Sequence, residues 1–337
     1  VSLPDRALGV VWNRAERRLR APFRLVGVAL CFLLVGQLVT GPLYTALSNQ
    51  YQGGVFALLF SGTALDVAVQ TGSTLFGALT AVLTAVVLAV VVDRRRLADY
   101  GFHLDRAWWR DFGFGAVLGA GLQTAVFLVA LTAGWLRVTG TLVASSGFDP
   151  LALVVSYVVT FAAISLSEEL LVRGLVLTNL AEGVAGLGPL SDRAGSVVAV
   201  GATSLLFGAL HAGNPNATLL STASISLAGV FLALGYVLTG ELAVPLGLHF
   251  TWNYAQGVVY GLPVSGIRVG VAVVETELTG PRLLTGGSFG PEAGLLGIGA
   301  VVLGCGATAW WVRQVHGAVA LSPTVWTPEL RWREREV

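Results

Sequence analysis

The stretch Phe161–Leu180, FAAISLSEELLVRGLVLTNL, decides how this chain is read. It is long and apolar enough to cross a bilayer, yet Glu168, Glu169 and Arg173 stand in its middle. An ionised side chain near the centre of a bilayer costs on the order of 3 kcal/mol even on lenient insertion scales. Charges placed there need a reason.

The rest of the chain supports a membrane setting. Of 337 residues, 55% are hydrophobic and 12% charged, about half the charged share of a typical soluble domain, and the mean hydropathy is +0.76. Apolar runs of about 20 residues fall at roughly 24–47, 71–92, 112–134, 151–178, 195–212, 219–239, 242–261 and 292–315. The expectation is an all-α, polytopic membrane helical bundle of about eight transmembrane helices. The first run follows a long basic leader and lacks a small-residue cleavage site, so it is expected to be a retained helix. With no repeat and no low-complexity linker, the chain reads as one membrane domain over roughly 24–315, between a basic segment at 1–23 and a tail at 316–337.

The 20 basic residues are all arginine, which excludes a phosphate-loop or Schiff-base lysine. A net charge of +1 gives no reason to expect nucleic acid. Arginines cluster before the first run and in DRRRLADYGFHLDRAWWRD, between the second and third. Arginine-rich short loops stay in the cytoplasm, so both termini are expected there in a multi-pass protein of the cell membrane. The same arginines could also meet anionic lipid. Trp108, Trp109, Trp310 and Trp311 read as interfacial anchors, and Cys31 and Cys305 as buried reduced thiols. Gly115 and Gly119 form a G-x-x-x-G that permits close helix contact. RVGVAVVETEL, within 262–291, alternates as a short extramembrane hairpin would.

Spacing assigns chemistry to the buried polar residues. Glu169 and Arg173 are i and i+4 with the acid first, so they can neutralise each other on one face, whether as a structural pair or as a support. Glu168 is rotated from Glu169 by about 100° and can face a cavity alone, as a general base would. His249 and Asn253 are again i and i+4, two hydrogen-bonding groups on one face of another run; His211 ends a third. A base opposite two donors can bracket a carbonyl, activating water on one side and holding an oxyanion on the other. No H-E-x-x-H, G-x-S-x-G or G-x-G-D is present. Glu168, His211 and His249 would satisfy a three-ligand zinc site, and spacing alone does not separate that from a metal-free base. A proton- or ion-coupled transporter and a non-catalytic peptide-binding bundle are the competing classes, although only one helix break and no internal symmetry are visible.

At these residues the sequence resembles the CPBP family of intramembrane proteases, also called the CAAX protease and bacteriocin-processing (ABI) family. Its E-E-x-x-x-R is matched by Glu168, Glu169 and Arg173, its F-x-x-x-H by Phe207 and His211, and its H-x-x-x-N by His249 and Asn253. The likeness extends from about residue 93 to the C-terminal side of the last run. It implies a proteolytic helical bundle acting on a membrane-associated protein or peptide. In the eukaryotic branch, this removes the last three residues of prenylated CAAX proteins; prokaryotic members are linked to bacteriocin immunity, peptide maturation and secretion. The resemblance implies that Glu168 activates water, His211 positions that water or binds a divalent metal such as zinc, and His249 with Asn253 forms the oxyanion site. Glu169 and Arg173 would support the base, and the glutamate-water scheme requires no metal.

Depth raises one conflict. At 1.5 Å per residue, Glu168 and His249 fall in the middle to arginine-rich half of their helices, whereas His211 lies near the opposite face. The bundle needs a fifth helix that begins beyond the membrane on the arginine side or stops short, with a break at Asn214 and Pro215.

Overall fold

The computed structural model describes residues 10–42, 45–46, 63–144, 149–185 and 191–330. Arg6 and the RWREREV tail, which contribute to the expected charge asymmetry, lie outside them. Among the described residues, eight long helices follow one another. α1 is Ala21–Val35, running into a π-helical turn at Gly36–Thr40. α2 is Thr63–Val91 and α3 Arg106–Thr132. α4 begins as Pro150–Glu169, continues through a π-helical stretch at Leu170–Leu177 and ends with Thr178–Val184. α5 is Asp192–Leu210, α6 Leu219–Thr239, α7 Ala243–Tyr254 with a π-helical extension at Ala255–Val259, and α8 Leu295–His316. Each expected apolar run has its helix. Seven of them, all but α7, are long and apolar enough to cross a membrane, and the protein is an all-α polytopic membrane protein.

Caps written in the sequence start the helices. Asp105 accepts the Trp108 N–H at 2.8 Å ahead of α3, and Asp149 accepts the Leu151 N–H at 2.7 Å where Pro150 opens α4. Thr218 and Ser221 form a reciprocal capping box on α6. Gly240 ends that helix at φ 75°, the left-handed conformation that lets the chain turn directly into α7.

The G-x-x-x-G of α3 is a contact with α7. A methyl group at Gly115 would fall 2.2 Å from the Val244 carbonyl oxygen, and one at Gly247 would fall 2.2 Å from that of Phe112. Backbone meets backbone there. Thr251 Oγ1 donates to the Ala116 carbonyl at 2.7 Å across the same seam.

The hairpin expected in 262–291 is replaced by a long-range pairing. β1, Trp12–Asn13, and β2, Arg18–Leu19, form a minimal ribbon near the N-terminus. β3, Leu136–Ala144, pairs antiparallel with β4, Val271–Leu278, so that Leu136 opposes Leu278 and Ala144 opposes Val271. Alternation in RVGVAVVETEL marks a strand, but period-2 patterning carries no information about which strand lies opposite. The partner comes from the α3–α4 connection.

The arginine-bearing end holds a buried ionic cluster. Glu182 accepts from Arg18 Nη2 at 2.7 Å, Arg24 Nη2 at 2.7 Å and Arg95 Nη2 at 2.5 Å. All three guanidinium side chains are inaccessible to solvent. Asp93 adds a 3.2 Å ion pair with Arg24 and accepts the Tyr100 hydroxyl at 2.6 Å, while Asp99 pairs with Arg95 at 2.7 Å and accepts the Glu329 N–H at 3.1 Å. Burial lowers the proton affinity of Arg95, but the carboxylates of Asp99 and Glu182 outweigh it and hold the guanidinium firmly charged. These three arginines are therefore interior cross-links between the N-terminal segment, the α2–α3 loop and the end of α4, not a lipid-facing patch. Trp108 is also interior and donates Nε1 to the Gly101 carbonyl at 2.7 Å, leaving Trp109 and Trp310 as the outward-facing indoles of the expected anchors.

The depth conflict resolves at this end. The start of α5 packs against the end of α4 at Gly195 and Ala185, about 24 Å along α4 from Glu169, whereas His249 is only about 9 Å into α7. The α4–α5 hairpin thus projects about 15 Å beyond the α6–α7 turn. Residues 97–104 and 321–326 fill the recess, with Leu242 N–H bonded to Gly101 O and Ser322 N–H to Val237 O.

Replacing Glu182 with Gln should destabilise the fold by about 3 kcal/mol, because it leaves buried guanidinium charge short of a counter-ion. A denaturant unfolding series in detergent measures this; a change under 1 kcal/mol would show that the cluster is solvated.

Candidate active site

Helices α2, α4, α5, α6, α7 and α8 and the 264–269 loop converge on a cavity of about 450 Å³ bounded mainly by apolar side chains. Glu168, His211, His249 and Asn253 all line it. Four sequence-predicted residues from α4, the end of α5 and α7 therefore share one space. Glu169 and Arg173 stand behind that wall, both essentially inaccessible.

Glu169 is the hub. Its Oε1 accepts from Arg173 Nη1 at 2.8 Å and from His249 Nδ1 at 2.7 Å. A carboxylate acceptor requires His249 to carry a proton on Nδ1, which turns Nε2 toward the cavity. That Nε2 lies 3.8 Å from Glu168 Oε2, too far for a hydrogen bond and close enough for a small polar group to touch both. Among the described residues, Glu168 Oε2 has no hydrogen-bond partner; the atom is buried in a side chain one-third exposed. Such an orphan acceptor is costly unless something polar visits it. Arg173 reaches the Gly229 carbonyl on α6 at 3.2 Å with Nη2, so the charge pair also ties α4 to α6.

Phe207, the first residue of the F-x-x-x-H motif, does more than fill the core. It is buried, but its ring is the surface on which the site residues meet: the Arg173 guanidinium lies 4.4 Å above it, His211 is 4.7 Å away and His249 packs edge-on at 6.1 Å. A cation over an aromatic face gains about 2 kcal/mol when desolvated. His211 caps α5 and donates Nδ1–H back to the Phe207 carbonyl at 2.8 Å, leaving Nε2 as its acceptor.

Sequence reasoning missed three features. The π-helical stretches begin directly after Glu169 and immediately after Tyr254, next to the two motif helices' polar residues; such bulges re-aim side chains at functional sites. Ser265 and Glu292, from the 260–294 connection, complete the ribbon-side wall of the cavity. The glycine-rich GGSFGPEAG was a visible signal for a fixed, close-packed turn, but nothing in it names its partner. Burial pushes the Glu292 carboxyl above its ordinary range, against the Ser265 N–H, the Gln256 side chain and the two site histidines, which favour its charged form.

Glu168, His211 and His249, the three ligands of the metal reading that the sequence left open, line one cavity without closing into a cluster. Among the described residues, no three His, Cys, Asp or Glu side chains are grouped to hold an ion. Both histidines hold Nδ1 on an oxygen and leave Nε2 free, a state that serves a metal ligand and a hydrogen-bond partner alike.

A family model described as Rce1-like, type II CAAX prenyl endopeptidase Rce1-like, matches residues 150–255. Over residues 150–255 the chain is thus similar to the CAAX-protease family. The matched segment runs from the first residue of α4 to the first π-helical residue after α7 and contains all three motifs. The resemblance read from residue 93 onward is thus matched over its central part. No curated protein and no solved structure matches the chain.

Replacing Arg173 with Met should cost about 3–5 kcal/mol in unfolding experiments, because Glu169 then stays buried without its cation. Combining it with Glu169→Gln should recover part of that loss, measurable as a coupling energy in a double-mutant cycle. Strict additivity would show that the pair is not coupled.

Proposed function

We propose that this protein is an intramembrane endopeptidase that hydrolyses a peptide bond of a membrane-associated protein or peptide, with Glu168 as general base. The observation that carries the reading is the unpartnered Glu168 Oε2 facing, across 3.8 Å, an imidazole nitrogen whose ring is held by a buried carboxylate and arginine. The family match to CAAX prenyl endopeptidases supports the reaction class and suggests a substrate with a prenylated CAAX-type terminus.

In this scheme the scissile carbonyl enters between Glu168 and His249. Glu168 takes one proton from water as the water oxygen bonds to the carbonyl carbon, and the carbonyl electron pair moves onto oxygen. His211 Nε2 accepts a hydrogen bond from that water and fixes its direction. The oxyanion is received by His249 Nε2–H and the Asn253 amide. A donor at Nε2 requires the doubly protonated ring, for which Glu169 is the counter-ion. When the C–N bond breaks, its electron pair leaves on nitrogen, and Glu168 returns the proton to that nitrogen. The products are a carboxylic acid and an amine.

The arginine-bearing end is proposed to face the cytoplasm, as arginine-rich loops do. Both ends of the described chain meet there, where Arg95 pairs with Leu330. The β3–β4 ribbon then faces the opposite side.

Cleavage of prenylated and unprenylated quenched peptides by the purified protein tests the scheme. Glu168→Gln should lower kcat by about 10³-fold and Asn253→Ala by about 10²-fold, with folding retained. Cleavage by the Glu168→Gln protein at the wild-type rate would overturn it. A divalent-metal chelator should leave the wild-type rate unchanged; loss on chelation, restored by zinc, would replace the glutamate-water scheme with a metal-dependent one.

A further inference from the structure

Glu292 lies outside the family match and outside every motif, yet it is a buried carboxylate in the wall of the catalytic cavity. Its Oε2 accepts the Ser265 backbone N–H at 2.6 Å, and Oε1 lies 3.4 Å from the Ser265 hydroxyl. The same peptide segment is held from its other side: the Ser265 carbonyl accepts from Asn214 Nδ2 at 2.9 Å. Asn214 in turn donates its backbone N–H to the His211 carbonyl at 3.1 Å. A continuous chain of hydrogen bonds therefore runs from Glu292 through Ser265 and Asn214 to His211.

This chain holds a strained turn. Ser265 has φ 47°, a left-handed value that a residue with a side chain adopts only when its surroundings enforce it. Next to it, Gly266 donates its N–H to Phe289 O at 2.7 Å, and a methyl group there would fall 2.0 Å from the Pro215 carbonyl oxygen. The 264–267 turn is thus wedged between the break after His211 and the loop that carries Glu292.

We infer that Glu292 is a positioning residue for His211: by clamping the Ser265 turn against Asn214, it sets the ribbon-side wall of the cavity and fixes the backbone that aims the His211 ring. The inference rests on the proteolytic reading for its kinetic consequence and on geometry alone for its structural one. His211 has a fixed helix on one side and a polar turn on the other. The clamp and the Gly266–Phe289 hydrogen bond together determine where that turn sits.

The test uses the full chain in detergent, with Glu292→Ala, Glu292→Gln, Asn214→Ala and the Glu292→Ala/Asn214→Ala double variant, each first shown to unfold cooperatively. Glu292→Ala and Asn214→Ala should each lower kcat by about 10- to 100-fold, the scale of a sub-ångström to 1 Å misplacement, with KM nearly unchanged. Glu292→Gln should recover most of the rate, since its amide oxygen still accepts the Ser265 N–H. The double variant should be no slower than the slower single, because both break one chain. In histidine-selective ¹³C spectra, Asn214→Ala, which removes no charge, should move the His211 resonance and leave His103 and His316 in place. Additive losses, a rise confined to KM, no rescue by Gln or an unmoved His211 resonance would each overturn the inference. If the wild type cleaves no peptide, the proteolytic reading falls and the His211 resonance alone decides the clamp.

Discussion

Two donors on one buried oxygen organise this molecule. Glu169 Oε1 receives the Arg173 guanidinium and the His249 imidazole at nearly the same distance, and every other site residue is placed relative to that junction. A lone carboxylate in such surroundings would have to neutralise itself, and a lone guanidinium would destabilise its helix. Together they form a pair that is tolerable only if both remain in place. The requirement fixes the spacing on α4, the crossing of α7 against it and the aromatic face of Phe207 beneath the arginine. It also makes the neighbouring carboxylate different: Glu168, one residue earlier, pairs with no arginine among the described residues and lines the cavity.

The chain carries a second buried ionic centre, at Glu182, built on the same helix some three to four turns away. The two differ in composition. At Glu182 three guanidinium groups surround one carboxylate, with Asp93 and Asp99 completing the balance, so that fixed charges meet fixed charges and nothing is left to react. At Glu169 one partner is a histidine, whose second nitrogen can gain or lose a proton. One cluster locks the recessed end of the bundle, and the other presents an ionisable nitrogen to the cavity. The glycine seam between α3 and α7 links them mechanically, since α7 can start deep in the bundle only if its backbone lies directly against α3.

What could be read from the sequence follows from how local each signal is. Helix number and position were legible because an apolar run of bilayer length admits one solution. The Glu169–Arg173 pair was legible because i and i+4 residues share a face on any helix. Its third member was not: His249 is 80 residues away, and no spacing rule identifies it as the partner of Glu169 rather than Glu168. The sequence placed His249 with Asn253 as two equivalent donors, whereas one imidazole nitrogen is committed to the buried acid. The same limit applies to RVGVAVVETEL, whose alternation was real and whose expected local partner was wrong. Arg18, Arg24 and Arg95 were taken as part of a surface charge pattern because burial of an arginine depends on acids contributed by other segments.

The break after His211 shows how these non-local terms combine. Irregular backbone at membrane depth must satisfy its own polar groups or border a protected space. Here the break supplies a histidine to the cavity, and its open backbone is closed by Asn214 and Ser265, with Glu292 behind them. A helix continued past His211 would have satisfied the same groups internally, but it would have carried His211 on an uninterrupted helical wall and left no room for a polar floor. The interruption removes helical hydrogen bonds and replaces them with a carboxylate-anchored turn. The geometry that α4 and α7 give the cavity is therefore completed by a segment that has no helix of its own, and that segment is held by a buried hydrogen-bond acceptor at the far side of the cavity.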